Sequence, residues 1–165
     1  MPEPPIYHAF TTQNSLLVNR LINDVTVSYA GKQQTIKALW DTGATGTCIS
    51  TAVAQALAMV PTGKMNINTP AGSKVVNTYL LDITLPNNVG VKDVQVCDSD
   101  IGNQGIDMLL GMDVILLGDF SVSSFGGKTT FTFRTPSKQK TDYVQQINID
   151  NLIGKKHGKG KRKRR

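Results

Sequence analysis

The sequence contains little cysteine, with only Cys48 and Cys97 among its 165 residues. Two cysteines so far apart do not have the spacing of a zinc site, and a small disulfide-rich scaffold would carry several more. We interpret both as reduced thiols of a cytoplasmic protein, and Cys48 as a small core residue rather than a nucleophile. The sequence therefore predicts neither a metal site nor a cofactor.

The sequence also lacks long hydrophobic runs, and its N-terminal residues do not predict a secretory leader. The N-terminus, MPEPPIYHAF, has Pro and Glu where a signal peptide would carry Lys or Arg. The most apolar stretch, MLLGMDVILLG, is interrupted by Asp113 and is too short to cross a bilayer. With 39% hydrophobic and 18% charged residues, the chain is typical of one globular domain with no membrane span.

Positive charge is concentrated at the C-terminal end. Eight of the 18 Lys and Arg residues lie in the basic tail KKHGKGKRKRR, which begins at Lys155 and ends at Arg165. The rest of the chain has ten basic residues against 12 acidic ones, so it is close to neutral. Such a tail predicts disorder, and the functional alternative is electrostatic contact with nucleic acid or another polyanion.

The remaining sequence alternates short strands with turns. Two strand patterns, VTVSY and QQTIKALW, flank a turn at Ala30 and Gly31, and Gly126-Gly127 predicts a hairpin. A short helix is expected after Ser50 as N-cap, and another after Gly111. Further predicted strands are KMNIN, VVNTYLLDITL, VKDVQVC and KTTFTFR. This pattern predicts an all-β domain, either closed or sandwich-like.

Four segments follow from these patterns. We predict a loose N-terminal arm over residues 1–15, the β domain over 16–136, a C-terminal extension over 137–154 and the basic disordered tail over 155–165. The apolar residues of the extension, TDYVQQINIDNLI, fit neither the helical nor the strand period. They predict either an added helix or a dimer-forming strand.

A single Asp-Thr-Gly in the segment ALWDTGATGTCIS raises a question of chemistry. Asp41 comes directly after an apolar strand, and alternation places its side chain on the same face as Leu39. Gly43 permits a tight turn and a close approach of the backbone. Alone, this motif favours an ordinary turn, and the alternative is a carboxylate held in place for catalysis.

Two later segments support the second interpretation. The run IDMLLGMDVI ends a predicted strand at Leu110 and Gly111, and NTPAGSK predicts a hairpin tip between two strands. Together with ALWDTGAT, and in this order, they resemble the retropepsin-like aspartic proteases over about residues 25–133. The resemblance implies a closed retropepsin-like acid protease barrel with one or two short helices, acting as an aspartic endopeptidase on polypeptides.

The resemblance also assigns roles within the site. It implies that Asp41 is catalytic and, because the chain has one Asp-Thr-Gly, that a homodimer supplies the second carboxylate of a dyad. It implies active-site support from Thr42, Gly43, Ala44, Leu109, Leu110 and Gly111. It implies substrate binding by Leu39 and by the flap residues Thr69, Pro70, Ala71 and Gly72.

The chain departs from the family pattern at two positions. Retroviral members commonly have an acid and an Arg where this sequence has Thr45 and Met112. The paired loss predicts a different support for the dimer. The other acids considered, Asp107, Asp113 and Asp119, are interpreted as turn or helix-cap residues rather than catalytic ones.

Two other functions remain open at the level of sequence. One is a catalytically silent retropepsin-like dimerisation module. The other is a β domain associated with nucleic acid or another polyanion through its basic tail, with the Asp-Thr-Gly serving only as a turn.

Overall fold

The computed structural model describes residues 3–69 and 72–161, without the side chains of residues 69, 87 and 154–161. Pro70 and Ala71 of the predicted flap, and residues 162–165 of the basic tail, lie outside the described residues. The strands are β1 (His8–Gln13), β2 (Ile22–Tyr29), β3 (Lys32–Trp40), β4 (Cys48–Ser50), β5 (Gly63–Thr69), β6 (Gly72–Leu85), β7 (Val89–Ser99), β8 (Met108–Leu110), β9 (Asp119–Ser123) and β10 (Thr130–Thr135). The helices are α1 (Thr51–Ala56), α2 (Met112–Ile115) and α3 (Tyr143–Lys161), and single 3₁₀ turns cover Pro86–Asn88, Gly102–Gln104 and Phe125–Gly127.

Six strands close into a barrel. They lie in the order β2-β3-β8-β4-β7-β6, and β6 pairs again with β2 at Thr26↔Thr84. β5 continues from β6 as the other strand of a hairpin beyond the barrel wall. The predicted all-β class and closed barrel are confirmed.

The hydrophobic pattern of the strands explains the barrel core. In β3 the buried residues are Ile36, Ala38 and Trp40, whereas Leu39 is partly exposed, as the alternation predicted. The predicted turn between β2 and β3 is confirmed, because Ala30 and Gly31 adopt φ of 48° and 80° there. Positive φ at both central residues matches the twist of a tight hairpin.

A small sheet of order β1-β10-β9 packs on the barrel through aromatic rings. The ring of Phe10 lies 6.0 Å from that of Trp40, and Trp40 lies 5.1 Å from Phe131 and 5.0 Å from Phe133. The prediction of a loose arm was therefore wrong for residues 8–13, which pair along β10. The sequence of β1 is HAFTTQ, in which Phe10 is the one buried residue. It therefore shows no alternation of apolar and polar residues that would indicate a strand.

The short helices begin where the sequence predicted. Ser50 caps α1 by accepting a hydrogen bond from the N–H of Val53 at 3.3 Å, and α2 follows Gly111. In the extension, the helical alternative is the one observed, with Asp142 accepting from the N–H of Gln145 at 3.1 Å at the start of α3.

The helix α3 extends past the predicted boundary between the C-terminal extension and the basic tail. It continues to Lys161, where the sequence predicted disorder from residue 155. No proline interrupts it, and the high helix propensity of Lys offsets part of the cost of Gly154, Gly158 and Gly160 in this segment. Among the described residues, no helix combines the length and the apolar composition needed to span a membrane.

Docking of β1 is testable through Phe10, which is 4% exposed. The substitution Phe10→Ala is expected to lower the free energy of unfolding by about 3–4 kcal/mol, because it empties the space between Trp40 and the β10 rings. Val60→Ala is the control, since Val60 is 67% exposed and its truncation should change stability by less than about 0.5 kcal/mol. Urea unfolding measures both, and equal effects would show that β1 is not docked in solution.

Candidate active site

The carboxylate of Asp41 is fixed by its own loop at the end of β3. Its Oδ1 accepts a hydrogen bond from the N–H of Gly43 at 2.9 Å, and its carbonyl accepts one from the N–H of Ala44 at 3.2 Å. Its own N–H donates to the carbonyl of Leu110 at 2.9 Å. The Asp-Thr-Gly is thus a turn in the local sense, and it also holds a half-buried carboxylate at a defined position.

Strand order brings this loop against a segment 70 residues later in the chain. β8 lies between β3 and β4, parallel to the first at Trp40↔Leu110 and antiparallel to the second at Cys48↔Leu109. The chain that leaves β3 must therefore cross the end of β8 before it enters β4. The crossing places Asp41 beside Leu110 and Gly111, which the sequence predicted to support it.

Four residues hold the loop against the end of β8, and we call them the loop clasp: Gly46, Thr47, Gly111 and Asp113. The Thr47 hydroxyl donates to Asp113 Oδ1 at 2.7 Å and accepts from the N–H of Gly111 at 3.1 Å. The N–H of Thr47 donates to Asp113 Oδ2 at 2.9 Å. A Cβ atom on Gly111 would lie 2.6 Å from the carbonyl of Gly46, so only glycine fits there.

The two family positions that lack charged residues lie in the same crossing. The N–H of Met112 donates to the carbonyl of Ala44 at 2.8 Å, and that of Asp113 donates to the carbonyl of Thr45 at 3.3 Å. Backbone hydrogen bonds and the Asp113 carboxylate thus join the two segments without a pair of charged side chains at Thr45 and Met112.

Trp40 supports the loop from the opposite side. Its indole Nε1 donates to the side-chain oxygen of Asn23 at 3.0 Å, and the Asn23 amide in turn donates to the Thr12 hydroxyl at 2.7 Å. The ring is 5% exposed within the aromatic cluster. The residue before Asp41 is therefore fixed both by packing and by a hydrogen bond.

The other acids considered from sequence are engaged in local hydrogen bonds. Asp107 Oδ2 accepts from the N–H of Lys37 at 3.3 Å. Asp119 accepts from the Ser137 hydroxyl, from the N–H of Lys138 and from the Arg134 guanidinium, which together hold the pKa of its carboxyl well below the usual range. Asp113 is committed to the loop clasp. Among the described residues, none of these carboxylates hydrogen-bonds to Asp41.

A cavity of about 740 Å³ opens beside the loop, a size typical of ligand sites. Residues 43–48 of the loop form one wall, residues 65–68 of β5 form another, and side chains of β7 and α2 complete it. Leu109 lines this cavity, whereas Leu39, its register partner, does not. Thr42 is exposed and makes no hydrogen bond within the described residues.

Thr69 and Gly72 of the predicted flap lie at the end of the β5–β6 hairpin. Thr69 pairs with Gly72, whose φ of 117° is a conformation that favours glycine. One step further from the tip, the Ser73 hydroxyl donates to the Asn68 side chain at 2.7 Å. The hairpin contributes β5 to the cavity wall, so its end lies on the same side of the barrel as the loop clasp.

Two features of this site are not indicated by any local sequence pattern. The Thr47–Asp113 pairing joins polar residues distant in sequence, and no local pattern predicts it. Cys48 and Cys97 both line the cavity with their sulfur atoms 2.9 Å apart. The contact between the two thiols, with burial, raises the pKa of Cys48, and the same contact lowers the pKa of Cys97. Within the described residues, no cluster of three potential metal ligands occurs.

Comparison with known proteins agrees with the family resemblance of the sequence. Residues 25–114 match a family model described as aspartyl protease. A retropepsin-like aspartic protease from Rickettsia conorii is 15% identical, with a TM-score of 0.54 over 81% of this chain and 99% of that one. This likeness shows a retropepsin-like fold.

Two viral proteases are also similar. The simian foamy virus (mac) protease is 26% identical, with a TM-score of 0.40 over 56% of this chain and 91% of its own. The EIAV protease is 20% identical, with a TM-score of 0.47 over 60% of this chain and 88% of its own. No curated protein matches the sequence.

The loop clasp predicts a difference between two glycines in contact. Gly111→Ala is expected to lower the free energy of unfolding by about 2 kcal/mol, because its Cβ would overlap the backbone of Gly46. Gly46→Ala is the control, since a Cβ there meets no atom within 4 Å and should cost less than about 0.5 kcal/mol. Chemical unfolding of both variants decides the matter, and equal stabilities would argue against this contact.

Proposed function

This chain belongs to the aspartyl protease family, and from that premise we propose that it is an aspartic endopeptidase with a dyad formed by Asp41 of two subunits in a homodimer. The observation that carries the proposal is the position of Asp41. The N–H of Gly43 holds its carboxylate at the end of β3, and the loop clasp holds the loop that follows. Residues 43–48 of that loop line a cavity of a size suited to a ligand, whereas Asp41 itself does not line it.

The chemistry requires two carboxylates that share one proton. The ionised carboxylate takes a proton from a bound water as the water oxygen attacks the carbonyl carbon of the peptide. The protonated carboxyl donates to the carbonyl oxygen, which becomes the hydroxyl of a tetrahedral intermediate. Collapse of that intermediate breaks the C–N bond, and the departing amine receives a proton from the dyad.

A second subunit is the source of the second carboxylate in this proposal. The chain has one Asp-Thr-Gly, and Asp113 is already bonded to Thr47 and the backbone. A twofold axis beside Asp41 would bring two copies together, with each subunit giving half of the site. The exposed Thr42 is suited to hydrogen-bond across that axis, and Gly43 and Ala44 to support the two carboxylates.

Uncovered apolar side chains favour association. Phe125 is 93% exposed, Leu16 and Leu116 are each 72% exposed, and Val144 and Leu152 of α3 are 72% and 60% exposed. Burial of these side chains against a second subunit would remove their apolar area from water. These residues support a homodimer but do not define its interface.

In this proposal, the cavity between the loop and the hairpin receives part of a polypeptide. Leu109 lines the cavity and Leu110 packs beneath the loop, while Thr69, Pro70, Ala71 and Gly72 act as a flap that closes over the bound chain. Leu39 is assigned to a neighbouring pocket on the partly exposed face of β3. A cytoplasmic location, and a polyanion contact through residues 155–165, stay predictions from the sequence.

Asp41→Asn is expected to lower peptide cleavage by about a thousandfold or more, because an amide cannot act as the general base of the dyad. Asp24→Asn is the matched control, since Asp24 is an exposed acid on β2 paired with Lys37 and away from the loop. A proteome-derived peptide mixture analysed by mass spectrometry measures cleavage, and urea unfolding checks that both variants fold. A variant at position 41 that cleaves like the parent would overturn the assignment. Absence of cleavage by the parent would favour the silent dimerisation module.

Subunit mixing tests the shared site. An equal mixture of parent and Asp41→Asn chains, allowed to exchange, should show about half the activity per parent chain, because heterodimers lack one carboxylate. Per total chain, that mixture should retain about one quarter of the activity, whereas an equal mixture with Asp24→Asn, which keeps Asp41, should retain all of it. Dilution below the dimer dissociation constant should also lower specific activity. A monomer by sedimentation that keeps full activity would contradict the homodimer while leaving the role of Asp41 to be judged by the variant above.

A further inference from the structure

Cys48 and Cys97 occupy paired positions on neighbouring strands. Cys48 begins β4, Cys97 lies in β7, and the two are register partners in a parallel pair. Neighbouring strands lie about 4.8 Å apart, inside the Cα separation of about 4.4–6.8 Å that a disulfide spans. Their sulfur atoms are 2.9 Å apart and both residues line the main cavity. No other cysteine exists in the chain, so each thiol has one intrachain partner.

We propose that Cys48 and Cys97 form a redox modification site, which a hydroperoxide converts into a reversible intrachain disulfide. The inference is independent of the proposed peptidase activity, because it depends only on the two thiols and on their access to solvent through the cavity. Cys48 is half-buried, and it gives the pair an exposed side.

The reaction balances with hydrogen peroxide as the oxidant. One thiolate attacks a peroxide oxygen, the O–O bond breaks, and a sulfenic acid and hydroxide form. The sulfur of the second thiol then attacks the sulfenic sulfur, the S–O bond breaks, and water leaves after proton transfer. Two thiols lose two electrons and one peroxide gains them, which gives one disulfide and two waters.

The bond would join parts of the molecule that the loop clasp does not connect. Cys48 follows Thr47 directly, and the N–H of Cys97 donates to the Thr47 carbonyl at 3.2 Å. Cys97 also pairs with Thr78 of β6, the strand that continues into the hairpin. A disulfide here ties the loop to the strand behind the hairpin and closes a covalent loop between positions 49 apart in sequence. The unfolded chain then loses freedom, and the folded form is stabilised.

The experiment uses the full chain, first reduced and then treated with a slight excess of hydrogen peroxide. The intact mass should fall by about 2 Da, and the melting temperature should rise by roughly 5–10 °C. Dithiothreitol should reverse both changes. Peptide mapping of the oxidised parent should recover the segments of Cys48 and Cys97 as one linked peptide, a readout that needs no variant.

Cys48→Ser and Cys97→Ser are the matched controls, and neither should lose mass or gain stability with peroxide. A gain of about 32 Da on the parent, from a sulfinic acid, would overturn the proposal. So would linkage between chains on a non-reducing gel, or unchanged thiols under conditions that oxidise a cysteine peptide. None of these outcomes bears on cleavage by Asp41.

Discussion

The close approach of Gly46 and Gly111 is the constraint on which the arrangement of the site depends. The loop that follows β3 crosses the end of β8 in direct contact with the backbone there. A side chain at position 111 would push the loop away from the end of β8. Once they touch, the Thr47 hydroxyl reaches both Gly111 and Asp113, and the N–H of Asp41 reaches the last residue of β8. The absence of a side chain at position 111 allows the two segments to touch, and the hydrogen bonds then stabilise one arrangement of the loop.

The fold could be predicted where local pattern and burial agree. The alternation in VTVSY and QQTIKALW, the turn at Ala30-Gly31, and the cap at Ser50 are each decided within a few residues. β1 could not be found in this way, because a single buried residue, Phe10, holds it in place. Its partners come from Trp40 and from a strand more than 120 residues later, so its burial depends on tertiary contacts.

The site shows the same division between local and distant information. Asp41 is indicated by the Asp-Thr-Gly motif in combination with the later segments IDMLLGMDVI and NTPAGSK, since the motif alone favours an ordinary turn. The pairing of Thr47 with Asp113 beside it is not indicated in this way. Thr47 and Asp113 are ordinary polar residues in sequence, and their hydrogen bonds arise only because strand order superimposes two segments. The same is true of Cys48 and Cys97, which become neighbours only when β4 pairs with β7.

The pairing of β1 with β10 has a consequence for the architecture of larger proteins. His8 and Thr135 are register partners, so the two ends of the folded body emerge side by side on adjacent strands. A unit with adjoining ends can be spliced into a surface loop of another polypeptide through short linkers. It can also be circularised there and opened elsewhere without breaking its core. The small sheet therefore gives this fold a natural point of attachment.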